Sequence, residues 1–220
     1  MKIAIINGSP RTDGFTASIL LGMEEQLKIL GAEVDYYNLS SLTMSQCKGC
    51  CACYSTGHCH IDDDAEKLSR ALSRADGLVL GSPTYASNVS GYMKTFIDRG
   101  HFVIEQLLKD KYCVVVATGE NYGNKDTAKV LKKLVLYSGG HLTKSLAVNA
   151  AFNGYDKDRT ALFGRKAAGR LYKAITAKKK YPVQAIVHGI VFSVGIIPLV
   201  RKKGNQYKGV TEKWKELGIQ

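Results

Sequence analysis

The chain has 220 residues, 45% of them hydrophobic and 23% charged, enough apolar material for one sizeable soluble domain or a domain with an appendage. Its formal net charge of +12 sits at one end: residues 1–156 hold 16 basic and 16 acidic side chains, residues 157–220 hold 15 and 3. A uniformly basic nucleic-acid binder is thereby excluded. The six cysteines, in a chain that opens into an apolar strand with no secretory leader, argue against a disulfide framework and for metal or redox use in a cytoplasmic protein.

Ile3, Ala4, Ile5 and Ile6 form an apolar run without polar alternation, the pattern of a strand buried on both faces. A loop rich in Gly, Pro and polar residues follows from Asn7 to Gly14. From Thr16 the spacing of Ile19, Leu20, Met23, Leu27 and Leu30 predicts a helix, ended by Gly31. A strand, a loop and a helix N-terminus in this order offer free amides and the positive end of a helix dipole to an anion. Ser9, Thr16 and Arg11 can add two hydroxyls and a charge for a phosphate. The loop is neither Gly-x-Gly-x-x-Gly nor a Walker loop, so it does not indicate a dinucleotide or a nucleoside triphosphate.

A short strand is expected around Val34–Leu39, then an aperiodic stretch over 40–64, then a helix over 65–75. Leu78-Val-Leu80 and Tyr112–Ala117 read as buried strands, each running into a polar loop (82–90 and 118–124). Helices are expected over Gly91 to about Leu108 and over 125–138, and a fifth strand over 142–150. The alternation gives a doubly wound α/β fold with a parallel sheet. Ligands of such sheets sit beyond the carboxyl ends of the strands, where all three polar loops fall. The first loop suits a phosphate; the others can supply amides and a tyrosine to a flat polar ring.

Residues 47–59 hold five of the six cysteines. Cys47, Cys50, Cys53 and Cys59 are spaced C-x2-C-x2-C-x5-C, which suits four thiolates around a [4Fe–4S] cluster. Tetrahedral zinc and free or oxidation-paired thiols are the rival readings. Cys51 is out of phase, Cys113 lies in a buried strand, and His58 and His60 read as exposed loop residues.

These residues together resemble the flavodoxin-like NAD(P)H-dependent FMN reductase superfamily, and within it the iron–sulfur flavoproteins. The likeness covers residues 1 to about 150. It is carried by Gly8-Ser-Pro-Arg with Gly14 and Thr16, the cysteine segment running into Asp62-Asp63, the segment Ala75–Tyr85, and Met93–Arg99. It implies a five-stranded sheet in the order 2-1-3-4-5. It also implies FMN, with Ser9, Arg11, Gly14, Phe15 and Thr16 about the phosphate, Pro83, Thr84, Tyr85 and Asn88 along the ring, and Gly119 on the other side. Relatives commonly carry Asn where this chain has Phe15, which leaves that contact to the backbone. Tyr85 is the candidate for orienting substrate over the flavin, and Asp98-Arg99 reads as a structural ion pair. NAD(P)H or a ferredoxin is the expected donor, a quinone or an oxygen species the expected acceptor, and a homo-oligomer the expected assembly.

Residues 157–220 are expected to form a basic, helical extension to a domain of residues 1–156. A basic helix over 165–180 is followed by Pro182–Val200, apolar on nearly every face and bracketed by Lys178–Lys180 and Arg201–Lys203. The segment suits burial between subunits, docking of 182–203 on an anionic membrane surface, or a short span. Trp214 reads as an anchor of the extension on the body.

Overall fold

In the computed structural model, residues 1–150 and 154–219 are described. Strands β1 (Lys2–Asn7), β2 (Glu33–Asn38), β3 (Gly77–Tyr85), β5 (Tyr112–Gly119) and β6 (His141–Asn149) form one parallel sheet in the order β2-β1-β3-β5-β6. The two-residue strand β4 (Asn88–Val89) pairs antiparallel with the end of β3. Counting the parallel strands alone, this is the expected order 2-1-3-4-5.

The unalternating runs are explained by what lies on each side. Ala4, Ile6, Leu78, Leu80, Cys113 and Val115 face one core. It is closed by Leu68 and Leu72 of α3 (Asp64–Ser73), Met93 and Phe96 of α4 (Gly91–Arg99), and Leu131 and Val135 of α6 (Asn124–Tyr137). Ile3, Ile5, Val79, Val114 and Val116 face the other, closed by Ile19, Leu20, Met23 and Leu27 of α1 (Phe15–Ile29). The second face is completed by Ala167, Ala168 and Leu171 of α7 (Lys157–Thr176). Sequence reasoning groups α7 with the extension, yet it lies along α1 as part of the sandwich. Gly22 and Gly164 make the close approach: a Cβ at Gly164 would overlap the carbonyl oxygen of Ile19, and one at Gly22 that of Ala161.

The helix expected from Gly91 to Leu108 is two. It breaks after Arg99 and resumes as α5 (Phe102–Glu105), with His101 left-handed at φ +48°. Gly100 has no room for a Cβ beneath the Phe102 ring, so the chain turns there. The basic helix expected over 165–180 begins eight residues earlier, capped by Asp156, whose carboxylate accepts from the amides of Asp158 and Arg159. Beyond it lie α8 (Pro182–Ile190), a wider π-helical turn (Val191–Ile196), α9 (Ile197–Lys203) and α10 (Lys208–Glu216). Ile196, Val200, Tyr207, Val210 and Trp214 build a small core of their own. The Trp214 indole donates to the carbonyl of Ile104, 2.9 Å away, fastening this end to α5.

Candidate FMN site and cysteine loop

The carboxyl edge of the sheet is held open by hydrogen bonds from the loops. Asn7 ends β1, donates to Asn38 and accepts from the amide of Ser9 through its side chain. Ser9 Oγ in turn accepts from the amide of Arg11 at 3.1 Å. The Gly8 amide donates to Gly81, and its carbonyl accepts from Ser90 Oγ, the residue that caps α4. A side chain at Gly8 would press on Met93, so the loop must cross α4 as bare backbone. The loop therefore reaches α1 in a fixed path, with Gly14 at its N-cap.

No side chain caps α1 and no acidic residue lies in its first turn. Its leading amides have no partner within the helix. A cavity of about 390 Å³ opens at this point. Its walls include Ser9, Arg11, Gly14, Phe15, Thr16, Pro83, Thr84, Tyr85 and Gly119, bringing together every expected FMN residue but one. The exception is Asn88, which is absent from the lining; its Oδ1 accepts from the amide of Val89. Thr16 and Thr118 join hydroxyls at 2.7 Å across the floor. The Thr84 hydroxyl is buried at the wall with no partner among the described residues, a polar atom that a bound ligand would satisfy. Free helix-terminal amides, a guanidinium and an orphan hydroxyl around a cavity of this size fit FMN.

Thr118, Glu120, Ala150, Gly154 and Tyr155 also line the cavity and had no assignment from the sequence. Tyr155 packs edge-on against Phe15, ring centres 4.8 Å apart, and donates to the carbonyl of Asp13. The aromatic pair thus forms a wall where relatives commonly carry an amide side chain. Tyr85 is 47% exposed and stands between this cavity and a second of about 360 Å³, lined by Pro10, Leu39, Leu42, Met44 and Tyr92 among others. The turn after Tyr85 places Ala86 and Ser87 at φ +49° and +60°, a strained conformation for residues with a Cβ. These two residues line a separate cavity of about 200 Å³ that shares Thr84, Gly119 and Glu120 with the first.

The cysteine loop lies beside α4 and α5. Its ends are stapled by Arg99, whose side chain is 1% exposed. The guanidinium donates to the carbonyl of Ser45 at 2.7 Å and to both carboxylate oxygens of Asp63 at 2.7 and 2.9 Å. Asp63 also accepts from the amides of Ser45 and Ala65, capping α3. Burial raises the Asp63 pKa, but Arg99 and the two amides outweigh it and hold the carboxyl below its usual value. The adjacent pair expected at Asp98-Arg99 does not form; Asp98 pairs with Lys94 one turn back.

Within the loop, Cys51 is left-handed (φ +59°) and opens a short helix, α2 (Ala52–Thr56). Cys47 Sγ accepts from the amide of Gly49, and Cys50 Sγ lies 3.6 Å from His60 Nδ1. His101 pairs with Glu105 at 3.1 Å. Burial pulls the His101 pKa down, but Cys53 and Glu105 outweigh it and push it up to about 10. Cys113 is buried in β5, and burial pushes its thiol up to about 12. Among the described residues, no three His, Cys, Asp or Glu side chains gather as a metal-binding group. The loop therefore fits an iron–sulfur cluster in donor type and number, and not in its present arrangement.

The sequence model of the NADPH-dependent FMN reductase family matches residues 1–153. The chain belongs to that family. Within it the chain stands with the iron–sulfur flavoproteins. It is 34% identical to one from Clostridioides difficile and 29% identical to one from Archaeoglobus fulgidus, each over 100% of both chains. An NAD(P)H:quinone oxidoreductase from Methanothermobacter marburgensis has the same fold, with a TM-score of 0.63 at 16% identity. That match covers 78% of this chain and 96% of the other. The protein is a flavin-dependent oxidoreductase of flavodoxin-like fold, and FMN is the cofactor of its family.

Proposed function

We propose that this oxidoreductase takes electrons from NAD(P)H or a ferredoxin and delivers them to a small acceptor, a quinone or an oxygen species. In this reading FMN occupies the 390 Å³ cavity and Cys47, Cys50, Cys53 and Cys59 carry a [4Fe–4S] cluster. The observation that carries it is the cavity itself: uncapped helix amides and Arg11 at one end, and at the other the Thr84 hydroxyl, buried without a hydrogen-bond partner among the described residues. The cluster assignment rests on the donor set and on the names of the full-length relatives.

FMN supplies the exchange between two-electron and one-electron chemistry. The chain supplies position. The first turn of α1 with Ser9 and Arg11 receives a phosphate, the Thr84 hydroxyl and the loop around Gly119 face the ring, and Phe15 with Tyr155 limits access from water. No general base is called for, and no triad lies in the cavity wall. Tyr85, exposed at the rim shared by the two cavities, is the surface on which a flat acceptor would rest.

A cluster-free reductase is the second reading, favoured by the present partners of Cys47 and Cys50, the Gly49 amide and the His60 ring. Protein purified without oxygen decides between them by its visible spectrum, with iron and acid-labile sulfide assayed on the same sample. Flavin bands over a broad shoulder near ~400 nm, with about four irons per chain, are expected. Flavin bands without iron leave the plain reductase. No flavin after saturation with FMN overturns both. Steady NAD(P)H oxidation with an added quinone separates either enzyme from a flavodoxin-type carrier.

A further inference from the structure

A helix on the surface of a soluble domain ordinarily turns its apolar side inward and its polar side out. Helix α8 does the reverse. The polar side chains of α8 are Gln184 and His188, and both are tied to the body. Gln184 donates to the carbonyl of Leu142 and accepts from its amide, at 3.0 and 2.8 Å. His188 Nε2 donates to Gln106 Oε1 at 2.6 Å. The outward side holds Val183, Ile186, Ile190 and Val194, exposed at 72, 63, 60 and 75%. None of the α8 residues is buried.

This stripe carries no charge from Tyr181 to Val200, and it is bracketed by Lys178–Lys180 and Arg201–Lys203, all exposed. Between residues 159 and 211 the sequence has 12 Lys and Arg and no Asp or Glu. The charge decides what can cover the stripe. Two copies pairing through it, in either direction, would set a basic cluster against a basic cluster. A membrane span is at odds with Gln184 and His188, which tie the helix to Leu142 of β6 and to Gln106 just after α5. An anionic lipid surface meets both features at once: it takes apolar side chains at the acyl boundary and basic ones at the headgroups.

We propose that the outward face of α8 and its π-helical turn docks on an anionic bilayer, so that the enzyme is peripheral to a membrane and lies along it by its C-terminal segment. This holds whatever cofactors the protein carries.

The full-length protein, loaded with FMN, is floated with vesicles of phosphatidylglycerol and phosphatidylcholine, and with vesicles of phosphatidylcholine alone. Binding to the first and little to the second is expected, with loss on adding salt. Ile186→Gln with Ile190→Gln should abolish flotation. Both positions are more than half exposed, so circular dichroism and the thermal midpoint should not move. Lys179→Gln with Lys180→Gln should weaken partitioning by roughly fivefold per charge removed. Protein that stays soluble with anionic vesicles overturns the proposal, as does flotation that survives the double Gln variant. Light scattering supplies the remaining outcome: a dimer that ignores vesicles and that Ile186→Gln with Ile190→Gln makes monomeric would assign the face to a second copy.

Discussion

Asp63→Asn removes the carboxylate that faces the buried guanidinium of Arg99 while keeping a side chain able to cap α3. The Arg99 and Asp63 side chains are 1% and 4% exposed, and the pair is joined by two short hydrogen bonds. Leaving one partner of such a pair buried and uncompensated costs about 3–5 kcal/mol. The cap contributes little to the difference, because Asn caps about as well as Asp. In a chain of this length each kcal/mol moves the midpoint by about 2–4 °C, so a fall of roughly 6–20 °C is expected. Thermal and urea unfolding followed by far-ultraviolet circular dichroism measure it. Arg99→Met with Asp63→Asn should recover part of the loss, since no charge is then stranded. A single Asp63→Asn variant within about 1 kcal/mol of the parent would refute the account of Arg99 as the staple of the loop.

The same pair sets a dependence on pH. Because the folded Asp63 carboxyl lies below its unfolded value, its contribution is complete above about pH 4 and disappears as pH falls through the lowered folded value; acid unfolding of Asp63→Asn should show a shallower fall. Gly164→Ala gains about 1 kcal/mol of helix propensity but forces a methyl into the Ile19 carbonyl, and a net loss of about 1–3 kcal/mol is expected by thermal melting. An unchanged midpoint would separate α7 from the body. Arg11→Gln should weaken FMN binding about tenfold, read by quenching of flavin fluorescence, with folding unaffected because Arg11 is exposed.

The inner strands β1, β3 and β5 were legible because they are covered on both faces, which writes them as nearly unbroken apolar runs. The polar loops after β1, β3 and β5 were legible as a site because parallel topology brings every strand's carboxyl end to one edge. α7 was obscured by its own contacts. Apart from Leu171 and Thr160, its buried residues are Gly164, Ala167, Ala168 and Ala174, too small to stand out against Arg165, Lys166 and Arg170. Tyr155 left no signal, since a single aromatic in a loop reveals nothing of the Phe15 ring 140 positions earlier. The cysteine spacing announced donors but not their neighbours. Arg99 reaches the loop from the last turn of α4, and the left-handed backbone of His101 then separates α4 from α5.

The Arg99 staple also changes how much order remains to be imposed on the thiols. Ser45 and Asp63 stand 18 positions apart and meet at one guanidinium. Bringing together the ends of a free loop of that length costs about 2.5 kcal/mol in chain entropy. Here that closure belongs to folding. Whatever gathers Cys47, Cys50, Cys53 and Cys59 acts on a ring already shut, so it has only the interior of the ring to rearrange.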